Sequence, residues 1–372
     1  MTHDYSEDKK PTQVTRWFSW FVIGAFSVFF AEVTIGNSPT VFVDPKGILI
    51  IAPIYALHSL ILASLAIRRG QGFSIYILIS VGLFFGLYEA YMTKVLWIPT
   101  WEPEPFQVAG IALFATLILV LFWHLFLSFI VPLFAVEGLM LNSSILSNAL
   151  PGKWRKIIRS PKFILVLAVL LGMINGSTLK EIGLTLFSSI SSIAILFFLI
   201  FLWIYKSKGY QYNLEDLLPG NNEIWGLSGV LLAYYLVMGF LNRPEVIPGI
   251  KGQATIWILY ILVFLLFWFS KKSYQRQVKK GLEEPLEWIT SDPLLHPVAQ
   301  NPKAQFLAAT KMWGLFAISY TLSAAFSSLI LGWANDYIMK LILLSGVFFG
   351  FFCLFKTVRF IIKGFIGGQK EL

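Results

Sequence analysis

Charged residues are scarce in this sequence: Asp, Glu, Lys and Arg make up 13% of the 372 residues, against roughly 25% in soluble domains. Apolar residues account for 57%, and the mean hydropathy is +0.72. A water-soluble domain of this length has too little interior to hide so much apolar surface. The composition therefore argues against a cytosolic enzyme, a nucleic-acid-binding protein and a disordered scaffold, and it predicts an integral membrane protein.

Cysteine and the common catalytic motifs are also lacking. The single cysteine, Cys353, excludes an intramolecular disulfide, a CxxC redox pair and a cysteine zinc site. The sequence contains no Walker A motif, no GxGxxG and no GxSxG. We therefore expect no ATP-driven function in this chain alone and predict no cofactor, while the question of enzymatic activity stays open.

Long apolar runs separated by polar breaks are what the sequence has in abundance. Ten runs are candidate membrane spans: residues 17–35, 48–67, 73–91, 108–131, 163–177, 182–205, 224–241, 254–269, 312–331 and 337–355. The fifth is short enough to be partly re-entrant. Every backbone polar group in lipid needs an internal partner, so runs of this length must be helices. The sequence predicts an all-α, polytopic bundle of about ten transmembrane helices.

Basic residues indicate the orientation of the spans. Of the 29 Lys and Arg residues, 23 fall on the side that holds both termini and six on the other. The positive-inside rule then places both termini in the cytoplasm, in a prokaryotic plasma membrane. We expect a cytoplasmic tail at 1–16, a transmembrane domain at 17–355 with a cytoplasmic loop at 270–304, and a basic amphipathic tail at 356–372. Its predicted partners are the bilayer and anionic lipids at the basic face.

Four ionisable residues lie inside the first four spans, and the cores of the other six contain none. They are Glu32, His58, Glu89 and His124. Such a group costs several kcal/mol in lipid (about 2.5–3.5 on insertion scales) unless it faces protein or water. Small residues beside Glu32 and Glu89, including Gly24 and the Gly82-xxx-Gly86 pair, mark faces of close helix packing. Both carboxylates are therefore predicted to point into the bundle, near the outer third of the membrane.

Several roles for these four residues remain open on the sequence alone. They are candidates for an ion, proton or substrate site, with a proton path from the two glutamates through His58 to His124. Haem ligation by both histidines is disfavoured because the two differ in depth by about six residues, roughly 9 Å, and no local metal motif is present. The structural alternatives are a Glu89–Lys94 pair, Glu32 among headgroups, and histidines that only hydrogen-bond within the bundle.

Other polar residues are given simpler interpretations. Glu137 is expected to be a surface carboxylate. The serines at 188–192 and at 319, 323 and 327 are expected to serve close helix packing, with a polar wall for a solute path as the alternative. Asp44, Glu102 and Glu104, together with Glu32, are weak candidates for an acid or metal site on the outer face.

Three functions follow as hypotheses. The first is a permease or ion-coupled or proton-coupled transporter that uses the four intramembrane residues. The second is a membrane-embedded enzyme that acts on a lipid or polyprenyl-linked substrate through the outer acids. The third is a non-catalytic membrane subunit or assembly factor. The lack of a soluble catalytic domain and the presence of intramembrane acids favour the transporter.

Overall fold

The computed structural model describes residues 10–67, 73–101, 105–141, 145–158, 160–207, 212–281, 302–330 and 332–366. Within these residues the regular secondary structure is helical apart from one small hairpin. The helices are α1 Gln13–Val33, α2 Gly47–Ala66, α3 Ile75–Ala90, α4 Leu113–Met140, α5 Ile145–Asn148, α6 Gly152–Ile158, α7 Pro161–Leu179, α8 Ile182–Ser207, α9 Leu214–Leu217, α10 Asn221–Leu241, α11 Ile250–Lys279, α12 Pro302–Leu329 and α13 Gly332–Ile366. The hairpin pairs β1 Gln107–Val108 with β2 Ile111–Ala112, and a 3₁₀ turn spans Pro244–Val246.

The prediction of a polytopic helical membrane protein is confirmed. Nine helices in the described residues are long and apolar enough to cross a membrane, and the predicted third span forms the shorter apolar helix α3. The predicted fifth span is a full-length helix, α7, of 19 residues. Arg16 at the start of α1 pairs with Glu223 at the start of α10, so the first and seventh spans begin on the same side, as alternating spans require.

Helices α1 to α4 form the most deeply packed part of the bundle. Two thirds of the α1 and α4 spans are buried, compared with 6% of the α10 span. Glycines permit the close crossings, because a Cβ on Gly24 would lie 2.4 Å from Ala56 and one on Gly86 would lie 2.5 Å from the Val120 backbone. The two small-residue faces predicted beside Glu32 and Glu89 are therefore faces of close approach.

The later helices pack around this group. Helix α10 leans on α2, α11 contacts α3 and α13, and α7 and α8 both pack on α12. The region predicted as the C-terminal tail continues α13 as far as Ile366, and it packs against the end of α11, where Ser273 and Gln277 donate to the Phe360 carbonyl. The predicted loop at 270–304 begins as a continuation of α11, and its residues 282–301 lie outside the described part.

Helices α1, α2 and α4 contain π-helical segments, which were not predicted from the sequence. They cover Phe29–Val33, Gly47–Ile51 and Leu119–Ile130. The wider turn changes the usual i→i+4 pairing of backbone groups, and such segments occur frequently at functional sites. In α1 the Ala31 carbonyl accepts from the Trp123 indole and the Val33 carbonyl accepts from the Asn175 amide. Glu32 and His124 both lie in π-helical segments.

Candidate functional site

The four predicted residues form one buried cluster between α1, α2, α3 and α4. Each is at most 6% exposed: Glu32 and Glu89 6%, His58 5% and His124 1%. Two tyrosines, Tyr55 of α2 and Tyr88 of α3, lie among them. We use the name "polar cluster" for these six residues.

Within the polar cluster a carboxylate, Glu89, lies directly against an imidazole, His124. Glu89 Oε1 lies 2.8 Å from His124 Nε2. The Thr93 hydroxyl donates to the other Glu89 oxygen, and His124 Nδ1 lies 2.8 Å from the Ser128 hydroxyl. Each group of the pair therefore has a second polar partner that fixes its orientation. The contact is an ion pair only when the imidazole carries a proton.

Glu32 occupies the other side of the cluster. Its carboxylate accepts from the Tyr55 hydroxyl and, at 2.6 Å, from the Asn37 amide. The Tyr88 hydroxyl donates to the Tyr55 hydroxyl over 3.2 Å, and the Tyr88 ring centroid lies 5.0 Å from that of His124. Tyr55 and Tyr88 thus connect the surroundings of Glu32 to those of the Glu89–His124 pair.

His58 is part of the polar cluster, but among the described residues its ring nitrogens lie against groups other than the two carboxylates. Its Nδ1 lies 2.8 Å from the Ile54 carbonyl and its Nε2 lies 3.2 Å from the Tyr235 hydroxyl of α10. Its ring stacks on Phe85 at 5.1 Å, and His124 stacks on the same ring at 5.5 Å. Both imidazoles therefore pack against the same aromatic ring.

Hydroxyl groups extend the polar cluster deeper into the membrane. The Ser27 hydroxyl of α1 donates to the Ser128 carbonyl of α4, one turn below His124. Ser59 of α2 donates to Ser27 over 2.9 Å. All three serines are at most 1% exposed. A connected series of polar groups thus runs from Asn37 near one membrane surface to Ser27 within the bundle.

Three interpretations of single residues need correction. Lys94 does not pair with Glu89, because its amine donates to the Met238 carbonyl at 2.9 Å, at the C-terminal end of α10, where a positive charge suits the helix dipole. Burial lowers the pKa of this amine. Glu32 is buried among side chains rather than lying in headgroups. Glu137 is buried at 3% rather than exposed, and it accepts from the Leu146 and Ser147 amides at the start of α5.

Two serines of the α12 stripe take part in helix packing. In α12, Ser323 donates to the Val169 carbonyl and Ser327 to the Met173 carbonyl of α7. Asn175, two residues beyond Met173 on α7, donates to the Val33 carbonyl of α1. These contacts favour the packing interpretation over a polar wall for a solute path.

The acids proposed for an outer-face site are not seen together. Asp44 accepts from the Gly47 amide at 3.0 Å and so caps the start of α2. Glu102 and Glu104 lie outside the described residues. Among the residues that the structure describes, no group of three or more His, Cys, Asp or Glu side chains is arranged to hold a metal ion.

Tyr55 and Tyr88 were not predicted from the sequence. A signal existed, because Tyr55 precedes His58 by three residues and so lies on the same helical face, while Tyr88 directly precedes Glu89. A tyrosine combines an apolar ring with a hydroxyl that seeks a partner when buried. Tyrosines beside intramembrane ionisable residues were therefore reasonable candidates for the same cluster.

Comparison with known proteins places the chain in a family. Residues 21–363 match an uncharacterized membrane protein family. The chain belongs to this family. A protein from Archaeoglobus fulgidus, described as an uncharacterized protein, is 34% identical over 249 residues, which cover 66% of this chain and 76% of the relative. No solved structure matches the chain.

Family membership supports the location as well as the fold. The match covers the helices from α1 to near the end of α13. The protein is therefore a multi-pass integral membrane protein, and its archaeal relative is consistent with a prokaryotic membrane.

Proposed function

We propose that the protein is a proton-coupled membrane transporter, with the Glu89–His124 pair as its proton-binding site. The observation that carries this proposal is the 2.8 Å contact between two ionisable groups buried inside the bundle. Keeping such groups in the membrane is costly, and they typically mark proton relays or ion pathways. A pair that served packing alone is replaceable in principle by apolar side chains of similar volume.

The surrounding contacts suggest how a proton reaches the pair. Glu32 and Asn37 lie at the end of α1, on the side predicted to be extracellular, and Tyr55 and Tyr88 lie between Glu32 and the pair. Ser128 and Ser27 continue the polar series on the far side of His124. In this mechanism Glu32 is the outer proton acceptor, and His58 positions Tyr88 and Phe85 rather than carrying the proton.

Proteoliposomes with a pH-sensitive dye in the lumen test the proposal. A gradient of each member of a panel of small solutes and amphiphiles is imposed, and the lumen pH is followed. We expect at least one compound to drive a proton flux that is lost in Glu89→Gln, because the amide cannot exchange a proton. The matched control is Glu181→Gln, which removes an exposed carboxyl between α7 and α8.

A substrate-independent measurement accompanies the flux assay. Infrared difference spectra of the purified protein between two pH values should contain a carboxyl band that Glu89→Gln removes. If that band and the pH dependence of thermal unfolding are the same in wild type and Glu89→Gln, the pair is not a proton site and the proposal fails. If Glu89→Gln changes neither measurement and other proteins co-purify with the chain, the results would favour a non-catalytic subunit instead.

A further inference from the structure

A large apolar cavity lies outside the polar cluster, on the opposite side of α4. Its volume is about 1100 Å³, and α3, α4, α6, α7, α12 and α13 contribute to its wall. The lining is mostly aromatic and aliphatic, with Phe126 and Phe134 of α4, Leu167 of α7, Phe316 of α12 and Phe349 of α13 as examples. A space of this size and lining suits a hydrocarbon chain rather than a polar solute.

The basic end of the cavity has a different composition. Lys153 and Trp154 of α6 and Lys356 near the end of α13 line it there. Among the lining residues that the structure describes, the one carboxylate, Glu137, already accepts from the Leu146 and Ser147 amides. Two lysines against one glutamate leave this end with a net positive charge. Tryptophan and lysine are typical of the level of lipid headgroups.

The cavity extends along the membrane normal for about the depth of one leaflet. On α13 its lining runs from Leu341 to Lys356, which is roughly 22 Å at 1.5 Å per residue. One leaflet with its headgroups contributes about half of the ~40–45 Å bilayer, roughly 20–22 Å. A lipid whose phosphate lies beside Lys153 and Lys356 therefore has room for one complete chain in the cavity.

From this match of length, lining and charge we infer that the cavity is a specific site for a membrane lipid with an anionic phosphate headgroup. One hydrocarbon chain occupies the apolar part, and Lys153 and Lys356 bind the phosphate. The lipid comes from the leaflet predicted to be cytoplasmic. The inference is independent of proton transport, because no residue of the polar cluster lines the cavity.

Cys353 provides a probe inside the site. It is the single cysteine of the chain, and it lines the cavity on α13. Alkylation by N-ethylmaleimide, followed by intact mass, measures its access. In nanodiscs of phosphatidylcholine we expect alkylation to slow several-fold when phosphatidylglycerol is included, because the bound chain covers the thiol. Inorganic phosphate alone should give no protection.

Two variants remove the two parts of the site. A Cβ on Gly138, which lines the cavity, meets nothing within 4 Å, so Gly138→Leu fills part of the space and should abolish the protection. Its matched control is Gly229→Leu on α10, where a Cβ also meets open space. Lys153→Gln with Lys356→Gln should remove the preference for phosphatidylglycerol, whereas Lys272→Gln, a basic residue of α11 away from the cavity, should keep it.

The inference is overturned if phosphatidylcholine protects as well as phosphatidylglycerol, if the double lysine variant keeps the preference, or if phosphate alone protects. Native mass spectrometry repeats the comparison without the thiol. Wild type should retain phosphatidylglycerol through delipidation, and Gly138→Leu should retain less than Gly229→Leu. Equal retention would also contradict the inference. Glu89 does not line the cavity, so Glu89→Gln should alter neither readout, and failure here is distinguishable from failure of the proposed transporter.

Discussion

Helices α1 to α4 and the α7–α12 pair both bury polar side chains, but of different kinds. In the first group a carboxylate meets an imidazole and a second carboxylate meets a tyrosine hydroxyl. Between α7 and α12 the polar contacts are serine hydroxyls on backbone carbonyls, and glycine brings the helices together. A neutral hydroxyl can hydrogen-bond to a backbone carbonyl, so burying it in lipid costs little free energy. An ionisable group is expensive to bury there unless it is paired.

The difference separates packing from chemistry. Serine and glycine are sufficient for close contact between helices, as α7 and α12 demonstrate. The polar cluster of α1 to α4 contains more ionisable groups than packing requires, which is why we assign the proposed function to it. The variants below test this distinction, from the largest expected effect to the smallest.

Gly176→Leu should be the most damaging change, although it lies in the region without ionisable groups. A Cβ at Gly176 would lie 2.0 Å from the Ala324 carbonyl of α12, so the two helices must separate. Overpacking costs about 1–3 kcal/mol and occasionally more, and a 2.0 Å clash with a backbone atom should exceed that range and the cost of each variant below. Size-exclusion profiles and thermal unfolding should show loss of folded protein, and Gly226→Leu, which meets open space, should behave as wild type.

His124→Phe should be the most damaging change in the polar cluster. It leaves the Glu89 carboxylate buried without its imidazole, and breaking a buried pair on one side costs about 3–5 kcal/mol. Adding Glu89→Gln should recover part of the loss, because the remaining group is then neutral. Thermal unfolding of the two single variants and the double variant measures this, and strictly additive losses would mean that the two residues are not coupled.

Glu137→Ala should cost less, about 1.5–3 kcal/mol, the usual range for hydrogen bonds to a charged group. It removes the acceptor for the Leu146 and Ser147 amides and so loosens α5 against α4. Two measurements test this prediction: the rate of limited proteolysis between α4 and α6, which should rise, and thermal unfolding in detergent, which should show the lower stability. The exposed carboxyl of Glu181 provides the control. If Glu181→Gln lowered the free energy of unfolding as much as Glu137→Ala, the cap that Glu137 forms on α5 would have no special role in stability.

Ser323→Ala should have the smallest effect. Hydrogen bonds between transmembrane helices average about 0.6 kcal/mol in double-mutant measurements, and alanine preserves the close contact of α12 with α7. Thermal unfolding should change by little more than the experimental error, and the proton flux should be unaltered. A loss as large as that of His124→Phe would remove the contrast between the two regions.

Much of the candidate site was predictable from the sequence, for a physical reason. Glu32, His58, Glu89 and His124 are conspicuous because ionisable residues are rare within apolar runs. The glycines beside Glu32 and Glu89 indicated correctly that both face the bundle. The partners were not predictable, because spacing along one helix does not reveal which helix lies opposite. Lys94 was a plausible partner of Glu89 by sequence distance, yet it binds the end of α10.

The sequence by itself determined that the protein spans the membrane many times, where its helices lie, and which four residues within them need an explanation. Apolar composition and helical periodicity are sufficient for these predictions, because backbone N–H and C=O groups in lipid must form their hydrogen bonds within each span. Only the tertiary structure decided that Glu89 meets His124, that both histidines pack on Phe85, that Glu137 is buried, and that a cavity opens beside α13. These depend on how helices distant in sequence pack against each other, and the π-helical segments that hold Glu32 and His124 are visible only in the structure.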